Sequence, residues 1–286
     1  MQEKVLSSKK NGMVMMILFI LLYAAAAGLT AIGSMFFLVP AMVIGIIWLS
    51  LGWIPFLGLR VLKPQEALVL TLFGKYVGTL KDDGFYWVNP FCTAVNPAAK
   101  TKLNQSGDVD GGAAAKSVLT LATGTTASSN STYVNKKISL KIMTLNNNRQ
   151  KINDCLGNPI EIGIAVMWRV TDTAKAVFNV DNYKEYLSLQ CDSALRNIVR
   201  IYPYDVAPNV DTTGDGVADE GSLRGSSEIV AGRIRDEIQQ KVAEAGLEII
   251  EARITYLAYA PEIAAVMLQR QQASAIIDAR KMIVDG

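Results

Sequence analysis

The sequence predicts an α+β protein carried on an N-terminal transmembrane helical hairpin, and three observations predict it. From Asn11 to Leu59 there is no Asp, Glu, Lys or Arg, an uncharged run of 49 residues. Ile160, Ile162, Ile164, Val166, Trp168 and Val170 then alternate without a break, the pattern of a strand buried on one face. Finally, Val230, Ile234, Ile238 and Val242 recur at helical spacing and are followed by Gly246, a helix stop. Half of the 286 residues are hydrophobic, and the mean hydropathy of +0.24 is high for a soluble domain of this length.

One span takes about 20 residues, so the uncharged run holds two helices and a turn. Gly28 to Ser34, "GLTAIGS", offers the small and polar residues for that turn, which places Pro40 inside the second span as a kink. Trp48 and Trp53, near the end of the run, suit a membrane interface. Lys4, Lys9 and Lys10 flank one end and Arg60 and Lys63 the other, and the turn carries no charge. By the positive-inside rule both ends lie in the cytoplasm. A signal peptide competes for this segment, with "AAAAG" at Ala24 as its cleavage site, but the apolar run continues well past that point.

After Pro64 the pattern turns to β. "EALVLTLFGKYVGTL" reads as two short strands broken at Gly74-Lys75. In "DDGFYWVNPF", Asp82 to Phe91, three consecutive aromatics stand between two turns, with Val88 and Phe91 read as core. Residues 98–135 are poor in large apolar side chains and read as a flexible insertion. Ile138, Leu140 and Ile142 then alternate as a strand. Asn182 with Glu185 forms the pattern of a capping box, and an apolar helical face follows as far as Tyr202. An acidic loop occupies about 205–225, and a second helix runs from Ser227 to Ala245. Leu247 to Leu257 reads as a strand, and Pro261 opens a last helix that is still helical in pattern at Gly286. The boundaries are therefore a hairpin at 1–62, one α+β subdomain at 63–180, a second at 181–260, and a C-terminal helix at 261–286 that begins a coiled-coil-like segment.

Composition narrows the chemistry. There is no histidine, which removes the commonest general base and every Ser-His or Cys-His nucleophile pair. Cys92, Cys155 and Cys191 are far apart and form no CxxC, as expected of free thiols in a reducing compartment. A net charge of +2 implies no nucleic acid partner. "DTTGDGVADEGS" has the outline of a calcium loop, with Asp211, Asp215 and Asp219 at ligand positions and Gly216 at the glycine position. Thr213 and Ser222 occupy two positions that need strong ligands, so a solvated acidic turn fits better than a metal site. No cofactor motif is present, since "FGKY" lacks the spacing of a phosphate loop.

In chain order, the uncharged run is followed by "LKPQEALVLTLFGKYVGTLKDDGFYWVNPF", then "INDCLGNPIEIGIAVMWRVTDTAKAVFNVDNYKEYL". "ALRNIVRIYPYD" and "GLEIIEARITYLAYAPEIAAVMLQRQQASAIIDARK" complete the series. The series resembles the SPFH (band 7) family of stomatins, prohibitins, flotillins and HflK/HflC proteins, and within it bacterial stomatin-like members. The resemblance implies two small SPFH subdomains and a long helix, assembled side by side into membrane-bound rings or cages. It implies a non-enzymatic scaffold in a bacterial inner membrane, with the soluble part cytoplasmic and a large homo-oligomer as the working form. The clients it implies are membrane proteases of the FtsH type or NfeD-like proteins. It also implies that the aromatic turn, Phe85, Tyr86 and Trp87, dips into the bilayer. Ile263, Val266, Ile276, Ile277, Ile283 and Val284 on the last helix then need a neighbour, and Arg270 and Arg280 interrupt any continuous coiled-coil seam. Two other readings compete: a catalytic or regulatory subunit of a membrane hydrolase complex, which would need a Ser-Lys dyad, and a calcium-responsive membrane module.

Overall fold

The computed structural model describes residues 2–6, 11–36, 39–101, 135–205 and 221–285. The insertion at 98–135 and the acidic loop at 205–225 therefore lie largely outside the described residues. Those residues fall into two compact units. The first takes those within Met1–Lys100, Asp110–Lys141 and Val170–Tyr183; the second takes those within Thr101–Val109, Ile142–Arg169 and Lys184–Gly286.

The first unit begins with two apolar helices, α1 (Gly12–Met35) and α2 (Val39–Leu51), followed by a short 3-10 turn at Ile54–Gly58. At 24 residues α1 is ~36 Å long, enough to cross a hydrocarbon core of ~30 Å. Gly28 to Ser34 does not form the turn that the sequence predicts; it lies inside α1. The reason is that its polar side chains are satisfied within the helix: Thr30 Oγ1 donates to the Ala27 carbonyl and Ser34 Oγ to the Ala31 carbonyl. Its small residues serve packing instead. A Cβ on Gly33 would come within 2.9 Å of the Met42 backbone, and one on Gly45 within 2.3 Å of Thr30. Close approach of helix backbones through small residues is how apolar helices associate without a hydrophobic drive from lipid. Pro40 is the second residue of α2, where its missing N–H is harmless, and not a kink in mid-span.

Beyond the helices, β1 (Leu59–Leu62) pairs antiparallel with β4 (Gly84–Trp87). A second sheet runs β3 (Lys75–Leu80), β2 (Glu66–Leu72), β5 (Thr93–Ala94), with β6 (Ile138–Ser139) also on β2. Leu62, Leu68, Leu70, Leu80, Tyr86 and Cys92 form its core. Thr173–Phe178 is a short helix, α3, capped by the Asp172 side chain, which accepts from Lys175 N–H at 2.9 Å.

Residues 2–6 belong to this unit as well. Leu6 N–H donates to Thr79 O and Thr79 N–H to Lys4 O, both at 2.9 Å, so the arm extends the sheet beyond β3. Leu6 packs on the core cluster. The Glu3 carboxylate accepts from Lys81 Nζ at 2.6 Å and from Thr173 Oγ1 at 2.5 Å. Gly78 makes room for the arm: a Cβ there would meet Leu6 at 2.6 Å and Lys4 O at 2.8 Å. The chain that precedes the helical pair is thus built into the unit that follows it.

The second unit holds β7 (Met143–Asn146), β8 (Gln150–Asn153), β9 (Pro159–Val170) and β10 (Leu247–Tyr259), with β9 between β10 on one side and β7 and β8 on the other. The six alternating residues of β9 are all buried. The sequence boundary at 180 therefore cuts through this sheet, because β9 pairs with β7 and β8 before that boundary and with β10 after it. Ile138, Leu140 and Ile142 do not form one strand either. Leu140 N–H is drawn to Gln65 O in the first unit, and Met143 and Leu145 take the buried positions that follow. Two helices, α4 (Tyr183–Val199) and α5 (Ser227–Val242), follow. Val230, Ile234, Ile238 and Val242 are fully buried, and Gly246 ends the segment with φ +66°. Gln239 fastens α5 to β10, donating to Leu247 O and accepting from Ile249 N–H. The last helix, α6, spans Pro261–Asp285.

Two glycines distinguish the packed arm from an open helix surface. Gly78→Val forces a side chain into the arm and is expected to cost about 1–3 kcal/mol. Gly232→Ala, in α5 with nothing within 4 Å of the added Cβ, is expected to stabilise by roughly 0.5–1 kcal/mol. Melting of the two variants in detergent, read against the parent, checks the opposite signs.

Candidate functional site

The place where the helices meet the first unit is built from aromatics. Phe19 of α1 stands edge-on to Phe56 at 5.5 Å and to Trp87 at 5.9 Å. Trp87 Nε1 donates to Pro55 O at 3.0 Å, and Val88 N–H donates to Gly58 O at 2.9 Å. A Cβ on Gly12 would meet the Phe85 backbone at 2.7 Å. The triplet Phe85, Tyr86 and Trp87 is therefore not a free loop; it lies in β4, and Phe85 and Trp87 are half-buried. Tyr86 leaves the membrane-contacting set altogether. It is 2% exposed within the core cluster, and its hydroxyl donates to the carbonyls of Asp82 and Asp83. Alternation decides this: in a strand the middle residue of three faces away from its neighbours.

The exposed aromatics at this end are others. Phe73 is 86% exposed and Phe91 is 60% exposed, and their rings stack at 6.4 Å with an interplanar angle of 25°. Phe91, read from the sequence as core, is in fact at the surface. Phe73 and Gly74 form a two-residue turn between paired Leu72 and Lys75, with φ of +48° and +84°. Such turns favour Asn-Gly, and a bulky side chain at positive φ is disfavoured by roughly 1–2 kcal/mol. Trp48 and Trp53 are exposed, as are most apolar side chains of α1 and α2. Both segments, Gly12–Met35 and Val39–Gly58, are long and apolar enough to cross a membrane and are mostly exposed.

In the second unit the candidate surface is α6. Its first turns are tethered: Ala260 N–H donates to Pro159 O, Lys151 Nζ pairs with Glu262 at 2.6 Å, and Gln271 Nε2 donates to Asp205 at 3.0 Å. The hydrogen bond from Lys151 holds the Glu262 carboxyl below its ordinary range. Nearby, Tyr204 and Tyr259 have their ring centroids 3.9 Å apart. Burial, with the charges of Asp205 and Asp154, pushes the Tyr259 hydroxyl up to about 12. Ile263 is half-buried, whereas Val266, Ile276, Ile277, Ile283 and Val284 are exposed.

A model of the SPFH domain / Band 7 family matches residues 60–283. The chain belongs to that family. No curated protein matches it. Members of the SPFH family are generally non-enzymatic scaffolds, and at this level the chain is a scaffold protein associated with membranes. Its α+β fold, with two apolar helices ahead of the matched region, fits that of an SPFH protein with a membrane hairpin.

The three thiols of this SPFH protein are all raised above their ordinary value. Burial, and then the neighbouring Asp192 charge, pushes the Cys191 thiol up to about 12. Burial and the Asp154 charge raise Cys155, and burial raises Cys92 against the pull of Arg60. A thiol held above its ordinary value is a poor nucleophile at neutral pH. Among the described residues, no three His, Cys, Asp or Glu side chains group to hold a metal. Asp211, Asp215 and Asp219 lie outside the described residues. Maleimide at neutral pH is expected to label half-buried Cys155 slowly and to leave Cys92 and Cys191 unmodified until denaturant is added. Mass spectrometry of the labelled peptides checks this, and fast modification of Cys191 contradicts it.

Proposed function

We propose that the chain is an integral membrane scaffold that acts by assembly and performs no chemistry of its own. The helical pair spans the bilayer of a bacterial inner membrane with both ends on the cytoplasmic face, and the SPFH units associate laterally into a closed homo-oligomer, a ring or cage. The assembly organises a membrane patch and encloses or regulates a membrane protein within it. The client proposed is a membrane protease of the FtsH type or an NfeD-like protein, as membership of the family suggests.

The observation that carries this reading is α6. Past Gln271 it continues for about four turns. Its isoleucines and valines there, Ile276, Ile277, Ile283 and Val284, are exposed among the described residues. Burying one such side chain contributes on the order of 1.5–3 kcal/mol, so a neighbouring copy gains several such increments per contact. The absence of histidine and the raised thiols support the non-enzymatic reading. Weak single-site attachment becomes strong when many copies are linked, because each later contact is effectively intramolecular.

Light scattering of the full chain in mild detergent tests the proposal. The parent is expected to run as an assembly of many copies. Ile276→Asp with Ile277→Asp is expected to reduce it to single subunits that remain folded and detergent-bound. A parent that is already a monomer or dimer contradicts the proposal.

A further inference from the structure

β10 is an edge strand: among the described strands its one neighbour in the sheet is β9. α5 runs beside it, and Gln239 fastens the two. The Gln239 side chain gives an N–H to Leu247 O at 3.2 Å and takes the N–H of Ile249 at 2.7 Å. The Ile249 N–H is thereby spent outside the ladder with β9. One side-chain amide serves both groups, as a peptide group of an added strand would. The same bonds set α5 over the edge of the sheet instead of behind it.

Beyond Gln239 the edge has no such cover among the described residues. Going back along α5, the residues on the Gln239 side are Arg235, Gly232, Ala231 and Glu228, one turn apart and then another. The midpoint of Ala231 and Gly232 lies about 11 Å from Gln239 along the helix. Ala252 lies about 13 Å along the strand from the midpoint of Leu247 and Ile249. The two small residues therefore stand abreast of Ala252, and a Cβ on Gly232 meets nothing within 4 Å. A groove of about 520 Å³ opens there, with Glu251, Ala252, Arg253 and Ile254 as its other wall. Ala252 is buried, so Glu251 and Arg253 project from the opposite face of the strand. Their side chains are 40% and 66% exposed, and they pair at 2.5 Å.

We propose that this groove takes an extended segment of a partner chain as a further strand on β10. Unpaired strand edges capture extended chain through backbone hydrogen bonds, and the side-chain positions supply the choice. The stretch Glu251 to Ile254 accommodates about four residues. An antiparallel occupant sets one residue opposite Arg253, the next opposite Ala252 and the third opposite Glu251. Opposite charges favour such cross-strand pairs, so the first is an acid and the third a base. The middle one turns toward α5, into the room over Ala231 and Gly232, and is apolar. A second copy does not fit. Antiparallel pairing of two β10 edges would bring both α5 helices, each standing over its own edge, onto one face and into one groove. Parallel pairing would set Glu251 against Glu251 and Arg253 against Arg253, which repel. The proposal rests on the scaffold reading, since it names the kind of segment by which a client is held.

The test uses the full chain in mild detergent and a dye-labelled peptide of valine and threonine with Glu-Val-Arg at its centre. Fluorescence anisotropy is expected to show saturable binding, about tenfold weaker for the same peptide with Arg-Val-Glu at its centre. Gly232→Arg fills the groove from an open helix surface, so the chain stays folded, and it is expected to abolish the binding. Glu251→Arg with Arg253→Glu keeps the pair within the strand and is expected to reverse the order of the two peptides. A parent that binds neither peptide, or binding that Gly232→Arg leaves unchanged, overturns the groove. Equal binding of both peptides overturns the charge readout. Amide hydrogen exchange at Glu251 to Ile254 tests the other occupant. Exchange that is slow without peptide, and speeds up when Ile276→Asp with Ile277→Asp separates the copies, assigns the edge to a second copy and overturns the proposal. Light scattering of the same samples keeps the scaffold reading separate. Peptide bound by a parent that is a monomer supports the groove and overturns the scaffold, and a large assembly that binds no peptide does the reverse.

Discussion

Two backbone hydrogen bonds close this chain on itself. Leu6 and Lys4 exchange them with Thr79, across the 49 uncharged residues that separate Lys10 from Arg60. The arm before the helices is thereby part of the sheet after them. Glu3 makes the closure specific, because its carboxylate is mostly buried and is matched by Lys81 and by the hydroxyl of Thr173. Removing either partner would leave a buried charge or donor unsatisfied, which is far costlier than losing an exposed ion pair. The helical pair is thus held at its base like a loop whose two ends are stitched together, and the aromatic packing of Phe19, Phe56 and Trp87 stiffens the stitch.

Much of the fold is legible in the sequence where periodicity has one cause. β9 reads correctly because all six alternating residues serve one buried face, and α5 reads correctly to its glycine stop because Val230, Ile234, Ile238 and Val242 are all buried along one helical face. Legibility fails where one residue type has two uses. Gly33 and Thr30 look like turn residues, yet in an apolar helix the same smallness admits a second helix, and a threonine hydroxyl is satisfied one turn back. The strand expected through Leu140 fails because the chain passes there from one unit to the other.

The candidate surfaces were harder to read for a related reason. Three adjacent aromatics attract attention as a group, but strand alternation divides them, burying Tyr86 and leaving Phe85 and Trp87 to the hairpin. Phe73 carries no motif: in sequence it is one more apolar residue before a glycine. Only the positive φ and the stacked partner 18 residues away in the chain single it out. The apolar residues of α6 were visible as a helical pattern in the sequence, and Val266, Ile276, Ile277, Ile283 and Val284 are exposed in the structure. The family match from residue 60 onward supplies the frame into which these surfaces fit.

The central claim is that both ends of the helical pair stand on one side of the membrane, held there by the arm. Labelling of intact cells with a membrane-impermeant thiol reagent tests it most directly, using Gln2→Cys and Lys100→Cys, two exposed positions on either side of the pair. The closed-loop account predicts that neither position reacts from outside, and that both react once the membrane is permeabilised, above the background of Cys155. Reaction of only one of the two in intact cells would separate the arm from β3 across the bilayer and contradict it.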